Sequence, residues 1–379
     1  MNLIQENPYR IIGIIANASE KEIQKQKSKL LRYASIGKQV KGAFDVSFLD
    51  QIERDENQVK QAFSKIEQNQ DKINHALFWF LSSNPIDETA IGYLKEDNLT
   101  KSLEIWEKIT LGKEITPKNF SCFNNVGTLK LISASKEEIN EGIRLKLNLI
   151  LSGSFADFIH LVADQTYIVD REKELERFVN NLLEQYSESY SKKEFFQLFH
   201  GCDELVLNII NRKLTEEPIY IIESNIEKTS KERRANRNET YALGLDLFEK
   251  CKDHLNTLDS ILGSGNLTYK MLADNLAKEV MQCGIDYFTA RKERENPSSK
   301  ALELLQKAQS ITQNSQTKDR IKENSKAIEE WGKTNPIKEE LEFITQSIAN
   351  FQKQVKSIVN AKSLVLACKP KLDEIKAKT

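Results

Sequence analysis

Glycine and proline are scarce: 14 and seven in 379 residues, about half the usual share. A chain with so few turn-formers has few tight loops. That argues for long helices and against collagen-like repeats, disordered Pro- or Gly-rich linkers and most all-β designs. Cysteine is scarce too. The five, at 122, 202, 251, 283 and 368, are odd in number, far apart and without a C-x-x-C pair, which excludes a disulfide framework and a zinc ribbon. Isolated thiols of this kind are expected to be reduced core residues of a cytoplasmic protein. Neither sign of charge dominates: 55 Lys and Arg stand against 56 Asp and Glu, a net charge of −1. Nothing therefore pulls the whole chain toward nucleic acid or an anionic membrane. Long apolar runs are missing, since residues 11–15 and 76–81 hold the longest and neither spans a bilayer. The N-terminus lacks the basic and apolar regions of a signal peptide. Phosphate-loop and dinucleotide fingerprints are absent, and Gly263-Ser264-Gly265 has neither the lysine nor the spacing of a Walker loop.

What is present is helical. Apolar residues recur at three and four rather than two, so helix is expected nearly everywhere. Even Ile219-Tyr220-Ile221-Ile222, strand-like in composition, continues at helical spacing through Ile226. Asn84-Pro85, Asn296-Pro297 and Asn335-Pro336 each read as an N-cap followed by a proline at the head of a helix, and most prolines are expected to open helices. Four regions follow: a compact unit over 1–83, helical hairpins over 84–212, a second helical set over 213–334, and a long amphipathic helix over 335–379.

The first region opens with Asn7-Pro8-Tyr9-Arg10-Ile11-Ile12-Gly13-Ile14, then Asn17-Ala18-Ser19-Glu20-Lys21-Glu22-Ile23. This predicts a short helix, a turn at Gly13 and a second helix, with Ser19 and Glu22 forming a capping box. Val59, Ala62, Phe63 and Ile66 supply the inner face of a third helix, and Ile73, Ala76, Leu77 and Phe80 that of a fourth. At these residues the segment resembles a J-domain, the co-chaperone module that docks on heat-shock ATPase chaperones. Ala62-Phe63 and Ala76-Leu77-Phe78 fit the family's later helices. The resemblance implies a partner-docking face on helix two and the turn after it, carried by Lys25, Lys29, Arg32, Tyr33 and Lys38. It also exposes a departure: Ala34-Ser35-Ile36 stands where the family carries His-Pro-Asp, the loop that stimulates the chaperone's ATPase. Glu20 and Glu22 further dilute the basic face. A docking unit without stimulating activity is the expectation.

Farther on, Ala90–Leu94 leads into a helix with apolar residues at 99, 103 and 106. Val126-Gly127-Thr128-Leu129 leads into Ile139, Ile143, Leu147 and Ile150. Leu276, Val280, Gly284 and Tyr287 precede Ala301–Ala308. These hairpins resemble tetratricopeptide-type repeats, with a small residue where two helices touch and an aromatic soon after. Stacked, they would form a solenoid with a protein-binding groove. An irregular helical bundle remains the alternative.

Candidate chemistry is sparse. His200-Gly201-Cys202-Asp203 gathers nucleophile-like groups, but the aromatic run before it reads as a packed helix end. Cys251 and His254 share a helix face, yet two ligands do not make a metal site. Lys228, Lys231, Arg233, Arg234 and Arg237, with Arg291, Lys292 and Arg294 farther on, lie among acidic residues and read as solvated helix. Near the C-terminus Ile337, Leu341, Ile344, Ile348, Phe351, Val355 and Ile358 follow a heptad spacing, a seam that a partner helix or a second copy must cover. After Pro370 another helix begins, to which further chain or another protein would add.

The expected protein is all-α: a small J-like helical domain, tetratricopeptide-like helical hairpins and a long C-terminal amphipathic helix. It is read as a cytoplasmic, non-enzymatic scaffold or co-chaperone-like adaptor. Its expected partners are proteins, a heat-shock chaperone among them, with no cofactor, metal, membrane or nucleic acid. Two alternatives stay open: an active J-protein with an unusual loop, and an enzyme or effector whose site is assembled from distant residues.

Overall fold

A computed structural model describes residues 3–335, 337–354 and 358–378. Among the described residues the chain is all-helical, 73% helix with no strand. It divides into two compact units, Met1–Arg212 and Lys213–Thr379.

The first unit starts with α1 (Pro8–Ile12), α2 (Glu20–Ala34), α3 (Glu56–Ser64) and α4 (Asn69–Ala76). Their ends are set locally. Asn7 caps α1 ahead of Pro8, and Gly13 closes it at φ 82°, a left-handed conformation that favours glycine. Ser19 and Glu22 form the expected capping box on α2, and Asp55 with Gln58 forms another on α3. Val59, Ala62, Phe63, Ile66, Ile73, Ala76, Leu77 and Phe80 are all buried, as their spacing requires.

The unit continues with α5 (Pro85–Lys95), α6 (Leu99–Thr110), α7 (Phe120–Lys130), α8 (Lys136–Leu151), α9 (Phe155–Val162), α10 (Arg171–Tyr186) and α11 (Lys192–Gln197). Asn84 caps α5 through both Ile86 and Asp87. Every residue of α7 is buried, which makes it the central helix here. Two predicted small-residue contacts come out differently. A side chain at Gly127 would meet Lys146 of α8 at 2.9 Å, so α7 and α8 do touch there. Gly92 is exposed and a side chain there would meet nothing within 4 Å, whereas α6 crosses α5 where the Ser102 hydroxyl reaches the Ala90 carbonyl.

Helix α12 (Glu204–Ala235) carries the boundary between the units, and Pro218 lies inside it rather than at its head. The run Ile219–Ile222 is helical, with Ile222 fully buried. The second unit then has α13 (Thr240–Leu262), α14 (Leu267–Arg291), α15 (Ser298–Ile311) and α16 (Ser315–Thr334). Its core packs Leu247, Cys251, Leu276, Val280, Leu304 and Leu305. Gly284 lets α14 approach α15: a side chain there would lie 2.6 Å from Leu305 Cδ1 and 3.1 Å from the Ala301 carbonyl. Pro297 sits one place earlier than expected, at the N-cap, and Asn296 accepts the Ser298 N–H.

The single long C-terminal helix is corrected. Among the described residues there are two, α17 (Ile337–Gln354) and α18 (Ile358–Lys378), and they pack on each other. Pro370 lies within α18, not at the start of a new helix. The prolines at 218 and 370 thus break the expectation that proline opens helices. Each helix gives up one ladder hydrogen bond to keep running.

Candidate functional site

The residues singled out on α2 share one exposed face. Lys25, Lys29 and Arg32 are exposed at spacings of four and three, and Lys38 is exposed past the turn that ends the helix. Tyr33 is half-buried with the Arg32 guanidinium 5.5 Å from its ring centroid. Among the described residues Lys25, Lys29, Arg32 and Lys38 make no ion pair. Lys27, on another side, lies 5.4 Å from the Phe63 ring centroid. At the end of this face Ile36 is 61% exposed. Cations next to a bare aliphatic side chain suit an acidic protein surface with an apolar spot.

The loop after α2 is held from beneath. Phe44, Val46 and Leu49 bury their side chains, and Arg54, 3% exposed, works as a clamp. Its guanidinium bonds both Asp45 carboxylate oxygens at 2.6 and 2.7 Å and donates to the carbonyls of Ile11, Val40 and Arg10. Burial works against ionisation of Asp45, but the Arg54 guanidinium outweighs it and holds the carboxyl below the ordinary range. Gly42 leaves room for this clamp, because a Cβ there would fall 2.5 Å from Arg54 Nη2 and the guanidinium would have to shift. Nothing in the sequence reading pointed to this clamp.

Behind these elements lies a polar junction that the sequence reading also missed. Residues 76–81 are at most 2% exposed, although helix α4 ends at Ala76. Their backbone groups are met by asparagine amides: Asn7 donates to the His75 and Phe78 carbonyls, Asn124 to Ala76 and Trp79, and Asn125 exchanges two bonds with Leu81. Asp87, fully buried, accepts from the Trp106 indole at 2.9 Å, Ser121 at 2.5 Å, Asn125 at 3.2 Å and the Ser83 N–H at 3.0 Å. Lys146, also fully buried, reaches the Asn124 carbonyl and side-chain oxygen at 2.6 Å each and the Thr128 hydroxyl at 2.7 Å. In a sequence such residues look like a solvated face; here they replace water for backbone that has left its helix.

The remaining candidates are structural. Burial pushes the Cys202 thiol up to about 11, the reverse of an activated nucleophile, and no hydrogen bond joins it to His200 among the described residues. Cys122, Cys251, Cys283 and Cys368 are buried free thiols. Burial pushes Cys251 up to about 11 as well. Among the described residues no three His, Cys, Asp or Glu side chains are grouped to hold a metal ion. The basic run on α12 is largely neutralised within its unit: Lys231 pairs with Glu227, and Arg233 with Glu279 and Asp286 at 2.6 and 2.7 Å. It borders an open groove of about 580 Å³ between α12 and α14 that carries charges of both signs. On the C-terminal seam Ile344 and Phe351 are half-buried and Ile348 is 45% exposed. The side chains of Ile337, Leu341 and Ile358, and Val355 altogether, lie outside the described residues. Among the described residues no single helix is long and apolar enough to cross a membrane. No protein-family model, no curated protein and no solved structure matches the chain.

Proposed function

We propose that the chain is a non-enzymatic protein-binding adaptor whose N-terminal helices form a J-like unit without chaperone-stimulating activity. The observation that carries this reading is the face of α2, where Lys25, Lys29, Arg32 and Lys38 make no ion pair among the described residues and stand beside exposed Ile36. An acidic partner surface gains attraction there without breaking any bond inside the protein. The order of α1 to α4 supports the J-like reading, and Ala34-Ser35-Ile36 in place of His-Pro-Asp argues against ATPase stimulation. The helices that follow act as the scaffold. Phe343, Ile348, Val365 and Leu366, exposed on α17 and α18, offer a second surface for a partner helix.

The test uses the full chain and a triple variant, Lys25→Glu/Lys29→Glu/Arg32→Glu. Proteins retained by the wild type from native lysate should be lost by the variant while its circular dichroism stays unchanged. The chain should leave the ATPase rate of a heat-shock chaperone unaltered. A variant that keeps every wild-type partner sinks the docking face, and ATPase stimulation establishes the active J-protein instead.

A further inference from the structure

Among the described residues Lys146 is the one lysine whose amine is wholly enclosed while touching only neutral groups. Nζ makes no ion pair among the described residues, and its three neighbours are the Asn124 carbonyl, the Asn124 side-chain oxygen and the Thr128 hydroxyl. Gly127 leaves the slot in which the lysine stem lies. Among the described residues no charged group on α7, α8, α9 or α10 bonds the Lys146 amine, and Glu174 of α10, whose Oε2 is buried without a partner, is not joined to it. On α7, Lys130 is held by Glu107 and Glu141, and on α10 Glu174 and Arg177 hold each other. Asp87 takes the Trp106, Ser121 and Asn125 donors. Asp157 and His160 on α9 and Arg144 on α8 make no hydrogen bond to Lys146. An ammonium here has no counter-ion, and burial alone holds it well below the ordinary lysine range.

Both protonation states can satisfy the geometry. The ammonium gives its three N–H to the three oxygens, while Thr128 donates to the Asn124 carbonyl at 3.0 Å. The amine keeps two N–H on Asn124, and the Thr128 hydroxyl turns to donate to the nitrogen lone pair. The displaced proton goes to solvent. Asn124 is also the residue whose amide holds the Ala76 and Trp79 carbonyls, so the lysine bears on the segment that ties α1 to α4 onto α7 and α8.

We propose that Lys146, Asn124 and Thr128 form a proton-operated joint, in which the neutral amine holds residues 76–81 more tightly than the buried ammonium does. As pH falls the lysine takes up a proton, the uncompensated charge favours water, and the joint loosens.

The experiment is carried out on the full wild-type chain. The Lys146 side-chain amine is titrated by NMR, and amide hydrogen exchange of residues 77–81, corrected for intrinsic rate, is followed over the same pH range. The expected midpoint lies well below that of exposed lysines. Protection of 77–81 should rise at least about tenfold from that midpoint up to the range in which exposed lysines titrate. Lys146→Met should remove that step. If Lys146 titrates with the exposed lysines, or if protection ignores its midpoint, the joint is overturned. Should Lys146→Met fail to fold, the two wild-type curves still decide.

Discussion

A single methyl group added at Gly127 should be felt across the junction between α7 and α8. In an exposed helix interior, glycine to alanine stabilises by roughly 0.5–1 kcal/mol, because the unfolded chain loses freedom. At Gly127 the new Cβ would stand 2.9 Å from Lys146 Cε and 3.1 Å from both Cγ and Cδ. That stem is not free to swing away, since Lys146 is fully buried and its amine is held by three bonds of 2.6–2.7 Å. Overpacking costs about 1–3 kcal/mol, and each hydrogen bond pulled out of line costs a further ~1 kcal/mol. Even after the propensity gain, Gly127→Ala is expected to destabilise by about 2 kcal/mol. Gly92→Ala is the built-in comparison, because a Cβ there meets nothing within 4 Å; it should stabilise by roughly 0.5–1 kcal/mol. Urea titration followed by tryptophan fluorescence reads both, Trp79 and Trp106 being fully buried in this unit. A neutral or stabilising Gly127→Ala would falsify the close packing around Lys146.

Two further outcomes are expected. Burial, with the Lys65 charge added, lowers His75 from 6.5 to about 4; between these values the unfolded chain binds a proton that the folded one refuses. Stability therefore falls as pH drops through that window, by at most about 3 kcal/mol. The wild type should lose more between pH 6.5 and 4 than His75→Gln in paired urea titrations, and equal losses would exclude the effect. Asp87→Ala leaves the Trp106 indole, Ser121 and Asn125 without their acceptor, each orphaned donor costing about 1–3 kcal/mol. A fall of ~3 kcal/mol or more in unit-one stability is expected. A loss below ~1 kcal/mol would mean that water had taken the carboxylate's place.

The ends of the early helices were legible because they are written in short-range chemistry. Ser19 with Glu22 and Asn84 with Pro85 each satisfy orphan N–H groups within a few residues, and both appear where spacing puts them. The apolar faces of α3 and α4 were legible for the same reason. What stayed hidden depends on contacts between distant residues. Arg54 and Asp45 look like surface charges until the loop folds over them, and Asn124, Asn125 and Lys146 look like the wet side of a helix. Pro218 and Pro370 misled because packing sustained their helices through a lost bond. On α2 the exposed lysines were singled out by the resemblance to a J-domain, whereas the exposure of Ile36 beside them needed coordinates.

The buried stretch from Ala76 to Leu81 bears on how this molecule can be taken apart. It ends the first four helices, yet Asn124 and Asn125, which hold its Ala76, Trp79 and Leu81 backbone groups, sit on α7, and Phe78 stacks on Phe178 of α10 at 5.1 Å. Cut free after residue 83, those helices would keep Asn7 on Phe78 and Ala16 on Phe80, but the Ala76, Trp79 and Leu81 backbone groups would lose Asn124 and Asn125, and Phe78 would lose Phe178. Such a fragment is a seed for aggregation rather than a transplantable cassette. The proposed docking face on α2 therefore travels only with α5 to α10 attached, and any fragment used to test it has to extend through residue 186 at least.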